Sequence, residues 1–556
     1  MADGEEDTRI LARGERPGGP VTAEVLPGPR VGARATWVEM PAPGHQPIAW
    51  CYTDCRSYLP GSSVTFFLST TVPSLRLRIS RDDTQREPVA TLGPLAGQFL
   101  AAPDRAYEVG CDWPAAASWQ VPAVAQPGPY LVELLNEEDG SVIGHHLFFI
   151  RNADQDRATP GRLVLVAATS TWAAYNDWGG ANHYFGLNPG TPRGRSPLLS
   201  SRRPWARGQI WLPEGAPRIV NEHRSRKPGP ARYECVEWAY LNGFSKYYAS
   251  AGWASYERPF FLWAEKNGFA ADIITQDDLH SDPSALEGYP CALFVGHDEY
   301  WSREMRESVQ EYVRRGGRAA RFAGNFLWQI RLEENNNRQV AYKYDARSHD
   351  PLAGTSQAHL MTSAWEDPLV DYPGARTFGV NALRGIYAAF GGMASRSPRG
   401  FSVFRPEHWA FDGTGLTYAD MFGNEASIFG FEMDGLDYTF KDGLPEPTGT
   451  DGAPEGLEII AMGWATLAEA GRPEDAYSLM LGDGDARFRD SLLGDGTDES
   501  LAIHSRGSGM VVSFRMGEGE VFTAATCEWV NGLIQGDFYT ETITRNVLNR
   551  FSNRGR

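Results

Sequence analysis

Four consecutive positions, His297, Asp298, Glu299 and Tyr300, carry an imidazole, two carboxyls and a phenol within the stretch Val295-Gly-His-Asp-Glu-Tyr-Trp-Ser302. Such groups can exchange protons near neutrality or ligate a metal ion. His297 suits a residue that orients a metal-bound water or ligand, and equally one that hydrogen-bonds its own turn. Glu299 suits a base, and equally a carboxylate stabilised at a helix N-terminus. Asn325, in Ala323-Gly-Asn325, offers an amide suited to a developing oxyanion or a substrate carbonyl. Trp172, Tyr175 and Asn176 belong to a segment dense in aromatics and amides, Thr169 to Gly180, and are pocket-lining candidates; plain packing explains them as well. Glu432, in Gly430-Phe-Glu-Met-Asp434, is grouped with them, its role open.

The elements that must position these residues follow from the apolar patterning. Pro290-Cys-Ala-Leu-Phe-Val295 has the length and composition of a buried strand. Arg303 to Val313 places Met305, Val309, Tyr312 and Val313 at helical spacing. A strand that turns into a helix at glycine leaves the intervening residues at the carboxyl edge of a sheet, where open α/β folds bind ligands. Serving only as a capped turn, with Ser302 or Asp298 as N-cap, is the other reading of the same stretch. Arg162 to Ala168 and Arg318 to Ala323 read as further strands, and Phe260 to Lys266 as a helix closed by Asn267-Gly268. This alternation predicts an α/β core over 161–556 with a mostly parallel sheet. Before it, Leu75-Arg-Leu-Arg-Ile79 alternates with period two among several short strands, predicting a β-sandwich over 36–152. Residues 1–35, rich in Gly, Pro, Arg and Glu, read as a disordered arm. Thr540 to Phe551 reads as an amphipathic helix packed on the core.

The 556 residues are 42% hydrophobic, enough for a large core, and the net charge of −18 argues against nucleic acid or an anionic membrane as partner. Six scattered cysteines form no disulfide framework, and Cys51-x-x-x-Cys55 fits buried thiols better than a metal site. No signal peptide and no run of about 18 apolar residues is present, so the expectation is a soluble, cytoplasmic protein. Phosphate-binding, dinucleotide and nucleophile-elbow glycine motifs are missing from the sequence. Gly482-Asp-Gly-Asp485 fits an ordinary turn better than a Ca²⁺ loop.

Four stretches in order carry a likeness: Thr171-Trp-Ala-Ala-Tyr-Asn176, Gly296-His-Asp-Glu-Tyr-Trp-Ser302, Gly316-Gly-Arg with Ala323-Gly-Asn325, and Thr544-Arg-Asn-Val-Leu-Asn-Arg-Phe551. Together they resemble the large (beta) subunit of N,N-dimethylformamidase. The resemblance implies a Rossmann-like core akin to class I glutamine amidotransferases but without their cysteine nucleophile. The turn that would hold that cysteine reads Gly324-Asn325, and Cys291 lies in an apolar run as an inert thiol. It also implies a mononuclear ferric iron held by two tyrosines and a glutamate, hard oxygen ligands suited to that ion, which lowers the pKa of bound water. Tyr300 matches the family's turn and is the implied ligand; Tyr256, His359 and Glu366 are the candidates to complete the set. The implied function is hydrolysis of a C–N bond in a small amide, with a small partner subunit or a homo-oligomer as possible assemblies. The alternatives are a binding protein on the same scaffold with a decayed metal site, or a hydrolase of a peptide-like or sugar-derived amide.

Overall fold

The computed structural model describes residues 21–26, 34–41, 46–153, 161–219, 229–230, 233–387, 400–466, 477–478 and 484–552. Most of the 1–35 arm, the 154–160 connection and residues 482–483 of the glycine-aspartate turn lie outside them. Val21–Leu26, inside the arm, pairs antiparallel with Arg34–Glu39, which runs past the arm's expected end.

Two sheets follow. Five strands lie in the order Ser57–Tyr58, Val142–Ile150, Gly128–Asn136, Ser74–Arg81, Pro88–Ala96, and three in the order Ala49–Thr53, Ser63–Thr70, Ala115–Gln120. The period-two pattern explains how they face each other. Leu75, Leu77 and Ile79 point into a core shared with Val64, Phe66 and Phe148, while Arg78 turns outward to Glu133 at 2.8 Å. Pairing of the sandwich with the rest of the chain is intimate. Leu131, Leu147 and Phe149 belong to the same apolar cluster as Leu163, Leu165 and Trp172. Buried Asp82 accepts from Arg258 and from the Trp253 indole, each at 2.8 Å, and Arg56 meets Asp277 at 3.0 Å.

The large sheet corrects the expectation of a mostly parallel, Rossmann-like, amidotransferase-like core. Its nine strands run Ala271–Thr275, Leu163–Ala167, Cys291–His297, Arg318–Gly324, Gly519–Ala524, Arg506–Met516, Glu458–Thr466, Phe401–Val403, Met421–Phe422. The first five are mutually parallel. From Arg506–Met516 onward every pairing is antiparallel, and several small sheets surround the large one. The sheet is therefore mixed. The reason is local: Arg506–Met516 and Gly519–Ala524 are joined by Gly517-Glu518, too short for the crossover a parallel pair needs, with Gly517 at φ 60°. The alternation of strand and helix ends with the fourth strand, and strands supplied after residue 400 complete the sheet.

In the parallel half the apolar runs are buried throughout, as in Leu163–Ala167 and Cys291–His297. Helix Arg303–Arg314 begins at Ser302, whose hydroxyl accepts from the Met305 amide at 3.3 Å, and buries Met305, Val309 and Val313. Tyr300–Ser302 does not stay a simple turn. It is the edge strand of a second sheet with Trp328–Glu333, Arg338–Val340 and Leu198–Ser200. No helix among the described residues is long and apolar enough to cross a membrane.

Candidate active site

His297 ends its strand directly opposite Gly324. Gly296, at φ +80°, makes the bend before it, and a Cβ there would stand 2.3 Å from Cβ of Tyr256. Gly324 plays a matching part. A Cβ on it would lie 2.3 Å from the Glu432 carbonyl oxygen and 2.7 Å from the Cys527 nitrogen. Its bareness lets strand Glu432–Gly435 and the Cys527 loop, joined by a Cys527 N–H to Glu432 carbonyl bond of 3.1 Å, close over the end of the parallel sheet. Asn325 follows at φ 65°, a left-handed position asparagine tolerates better than most residues.

The result is a buried group of His297, Glu299, Asn325 and Glu432. His297 Nε2 lies 2.6 Å from Glu432 Oε2 and 3.4 Å from Glu299 Oε2. Its Nδ1 is 2.6 Å from the Ser250 carbonyl oxygen, which can only accept, so Nδ1 carries a proton. Burial alone lowers the imidazole, but the two carboxylates outweigh it and raise it to about 10. His297 is thus an imidazolium, with an N–H at each ring nitrogen. The Asn325 amide stands 3.2 Å from Nε2 and 2.7 Å from Glu432 Oε2; with Nε2 protonated, the bond it donates is the one to Glu432. Glu432 itself is raised by burial against the pull of His297.

Glu299 sits in a different shell. Tyr184 donates to its two oxygens at 2.7 and 2.8 Å, Tyr175 at 3.0 Å, and the Trp328 indole at 2.6 Å. Tyr300 donates to the Tyr184 hydroxyl at 2.8 Å. Burial pushes Glu299 up, but His297, Lys343 and these donors prevail and hold it below the ordinary carboxylate range. Lys343 is buried with φ 59°, and its ammonium lies 3.2 Å from the Tyr184 ring centroid. The backbone of the turn is fixed from outside: the Thr171 hydroxyl accepts from the Glu299 amide at 2.9 Å.

Of the residues singled out from sequence, His297, Glu299, Tyr300, Asn325, Glu432 and Tyr175 come together here. Trp172 and Asn176 do not. The Trp172 indole donates to Glu257 at 2.9 Å, and Asn176 pins its loop by donating to the Pro204 carbonyl at 3.0 Å. The Tyr256 hydroxyl donates to the Ala249 carbonyl at 3.0 Å and faces Glu528 at 3.4 Å. His359 is exposed on a short 3₁₀ turn, and Glu366 accepts from the Gly374 amide at 2.9 Å beside Arg306. The structure does not bring Tyr256, His359 and Glu366 to Tyr300. Tyr184, Trp328 and Lys343 were not legible as site residues. Tyr184 alone lay close to a signal, as the next tyrosine after Tyr175 and four residues past the aromatic segment that ends at Gly180.

One set of conventional metal ligands gathers among the described residues: His297, Glu432 and Cys527, whose ligand atoms all lie within 4.8 Å of one another. They could hold an ion. Burial and the nearby carboxylates keep the Cys527 thiol far above its usual range, so without a cation it stays a thiol.

A family model described as N,N-dimethylformamidase beta subunit-like, C-terminal, matches residues 79–541. The chain belongs to this family. No curated protein matches it. The match to the N,N-dimethylformamidase beta subunit-like family spans the later strands of the sandwich, the mixed sheet and every residue of the buried cluster.

Proposed function

We propose that the protein is a hydrolase of the formamidase type, cleaving the C–N bond of a small amide at the His297–Glu299–Glu432 cluster. One observation carries this: an ionised, solvent-free carboxylate, Glu299, collects two tyrosine hydroxyls within 3.0 Å beside a proton-bearing His297–Glu432 pair. Two tyrosines and one glutamate are the ligands implied for an iron centre, and Tyr175, Tyr184 and Glu299 are the residues that would supply them. Their donor chemistry fits a hard trivalent ion, which would offset the ionisation of the phenols; when bound, it supplies Lewis acidity for a water and for the amide carbonyl. Tyr300, donating to Tyr184, supports that set from behind.

The remaining residues move the proton. Glu432 Oε2 takes a proton from the attacking water as its oxygen bonds the carbonyl carbon. His297 Nε2 gives its proton to the amide nitrogen as the C–N bond breaks, and the 2.6 Å contact returns the Glu432 proton to His297. Asn325 keeps Glu432 Oε2 turned toward the ring, and the Ser250 carbonyl keeps the ring from rotating.

Protein produced with iron supplied, analysed for metal and assayed with formamide, acetamide and N,N-dimethylformamide, tests the reading. The expected result is stoichiometric iron and amide turnover. Glu299→Gln and Tyr184→Phe lose the metal. Glu432→Gln keeps it and loses roughly 10²- to 10⁴-fold in kcat. Iron retained in Glu299→Gln but lost in Cys527→Ala would move the ion to the His297–Glu432–Cys527 set; no metal and no turnover would sink the hydrolase.

A further inference from the structure

Tyr247 was not among the residues picked out by sequence, and nothing in the chemistry above uses it. It lies in the turn after helix Glu234–Asn242. Its carbonyl accepts from the Ser250 amide at 2.9 Å and the Ala251 amide at 3.3 Å, and its own amide donates to the Ser245 hydroxyl at 3.2 Å. The same turn presents the Ser250 carbonyl that holds His297, so Tyr247 is placed with the precision of the catalytic imidazole.

Its ring meets the two tyrosines that serve Glu299. The centroid is 5.7 Å from that of Tyr175, edge to face, and 6.4 Å from that of Tyr184. Tyr175 and Tyr184 spend their hydroxyls on Glu299. The Tyr247 hydroxyl, sealed from solvent, makes no hydrogen bond of full geometry among the described residues; the Asn182 side chain faces it only as a weak donor, so the hydroxyl's own proton has no acceptor there. A buried hydroxyl whose proton finds no acceptor is destabilising, and buried polar groups in folded proteins are seldom left so. Tyr247 and Tyr184 are also the members of this aromatic group that keep some exposure.

We propose that Tyr247 is a substrate-binding residue whose hydroxyl donates a hydrogen bond to the carbonyl oxygen of a small amide held against Tyr175 and Tyr184. The inference rests on the amide-hydrolase reading and adds the group that recognises the substrate's oxygen. A tyrosine hydroxyl at ordinary pH is a donor, and removing a single donor to a neutral carbonyl weakens binding by about tenfold.

The test compares the iron-loaded full chain with its Tyr247→Phe variant, by calorimetric titration and kinetics, using N,N-dimethylformamide and N,N-dimethylthioformamide. The wild type binds the oxygen compound more tightly than the sulfur one, because sulfur is the poorer acceptor. Tyr247→Phe loses about tenfold on the oxygen compound, changes little on the sulfur one, keeps its metal, and melts no lower than the wild type since a hydroxyl whose proton has no acceptor has gone. Equal affinity of both proteins for both amides overturns the role of Tyr247 and leaves the hydrolase standing. Loss of metal in Tyr247→Phe also overturns it, by making the residue part of the ion's support. Failure of the wild type to bind or cleave any amide with its metal in place overturns the hydrolase reading, and this inference with it.

Discussion

Glu366 lies buried beside Arg306, and burial raises its carboxyl from 4.5 to about 8; Glu257, under the Trp172 indole, is raised to about 8 in the same way. The sign of the consequence is fixed. Between about 4.5 and 8 the folded chain holds protons that the unfolded chain has released, so stability falls as pH rises through that window, by about 1.4 kcal/mol per unit per group. Glu366→Gln keeps an oxygen for the Gly374 amide and has no proton to lose. Urea unfolding of wild type and variant from pH 5 to 8 is expected to show a shallower decline in the variant; parallel curves would show that Glu366 folds ionised. At this scale the sequence was informative where chemistry is dense and local. His297, Glu299 and Tyr300 stand in one turn and could be named from it. Tyr184, Lys343 and Tyr247 arrive from three separate segments with no periodicity to announce them, and His359 and Glu366, placed by family resemblance, fall in segments folded against other partners.

Among the elements, Gly324 is the point at which strand Arg318–Gly324 must accept Glu432 and Cys527. Gly324→Ala sets a methyl 2.3 Å from one backbone oxygen and 2.7 Å from a backbone nitrogen, contacts that rigid backbone cannot yield cheaply. The expected outcome is a loss of roughly 1–3 kcal/mol in stability, measured by denaturant unfolding. Activity should fall as well, since Glu432 can no longer sit 2.6 Å from His297; an unaltered kcat would show that the two strands tolerate separation. Strands with short, largely apolar runs were legible to within a residue or two: Leu163–Ala167 and Cys291–His297 are buried throughout, and Arg318–Gly324 from Ala319 onward. Glu432–Gly435 was not. Four residues with glutamate and aspartate at alternate positions read as loop, and they form a strand because Asn381–Tyr387 pairs with them and Asp434 finds Arg321 at 2.8 Å.

Across the whole molecule the β-sandwich is bound to the sheet rather than appended to it. Asp82, on the sandwich side, neutralises Arg86 within it and Arg258 beyond it. Asp82→Ala leaves both guanidinium groups short of their partner and is expected to cost roughly 3–5 kcal/mol. Scanning calorimetry should show one unfolding transition in the wild type, and two separated transitions would contradict such a bond. The mixed sheet was the part least legible in advance. Parallel order was inferred from the alternation of strand and helix up to Gly324, and nothing in the Gly- and Asp-rich sequence beyond 340 states that Glu458–Thr466 and Arg506–Met516 join the same sheet in the opposite sense.

The place of Gly519–Ala524 in that sheet bears on how the chain is made. It lies fifth of nine, between Arg318–Gly324 and Arg506–Met516, yet follows every other strand of this sheet in the chain. During synthesis Arg318–Gly324 waits with one open flank for some two hundred residues of translation, and Glu432 has no Cys527 loop to lie against. A nascent or truncated chain that stops short of this strand presents two unfinished sheet edges rather than one smaller folded unit.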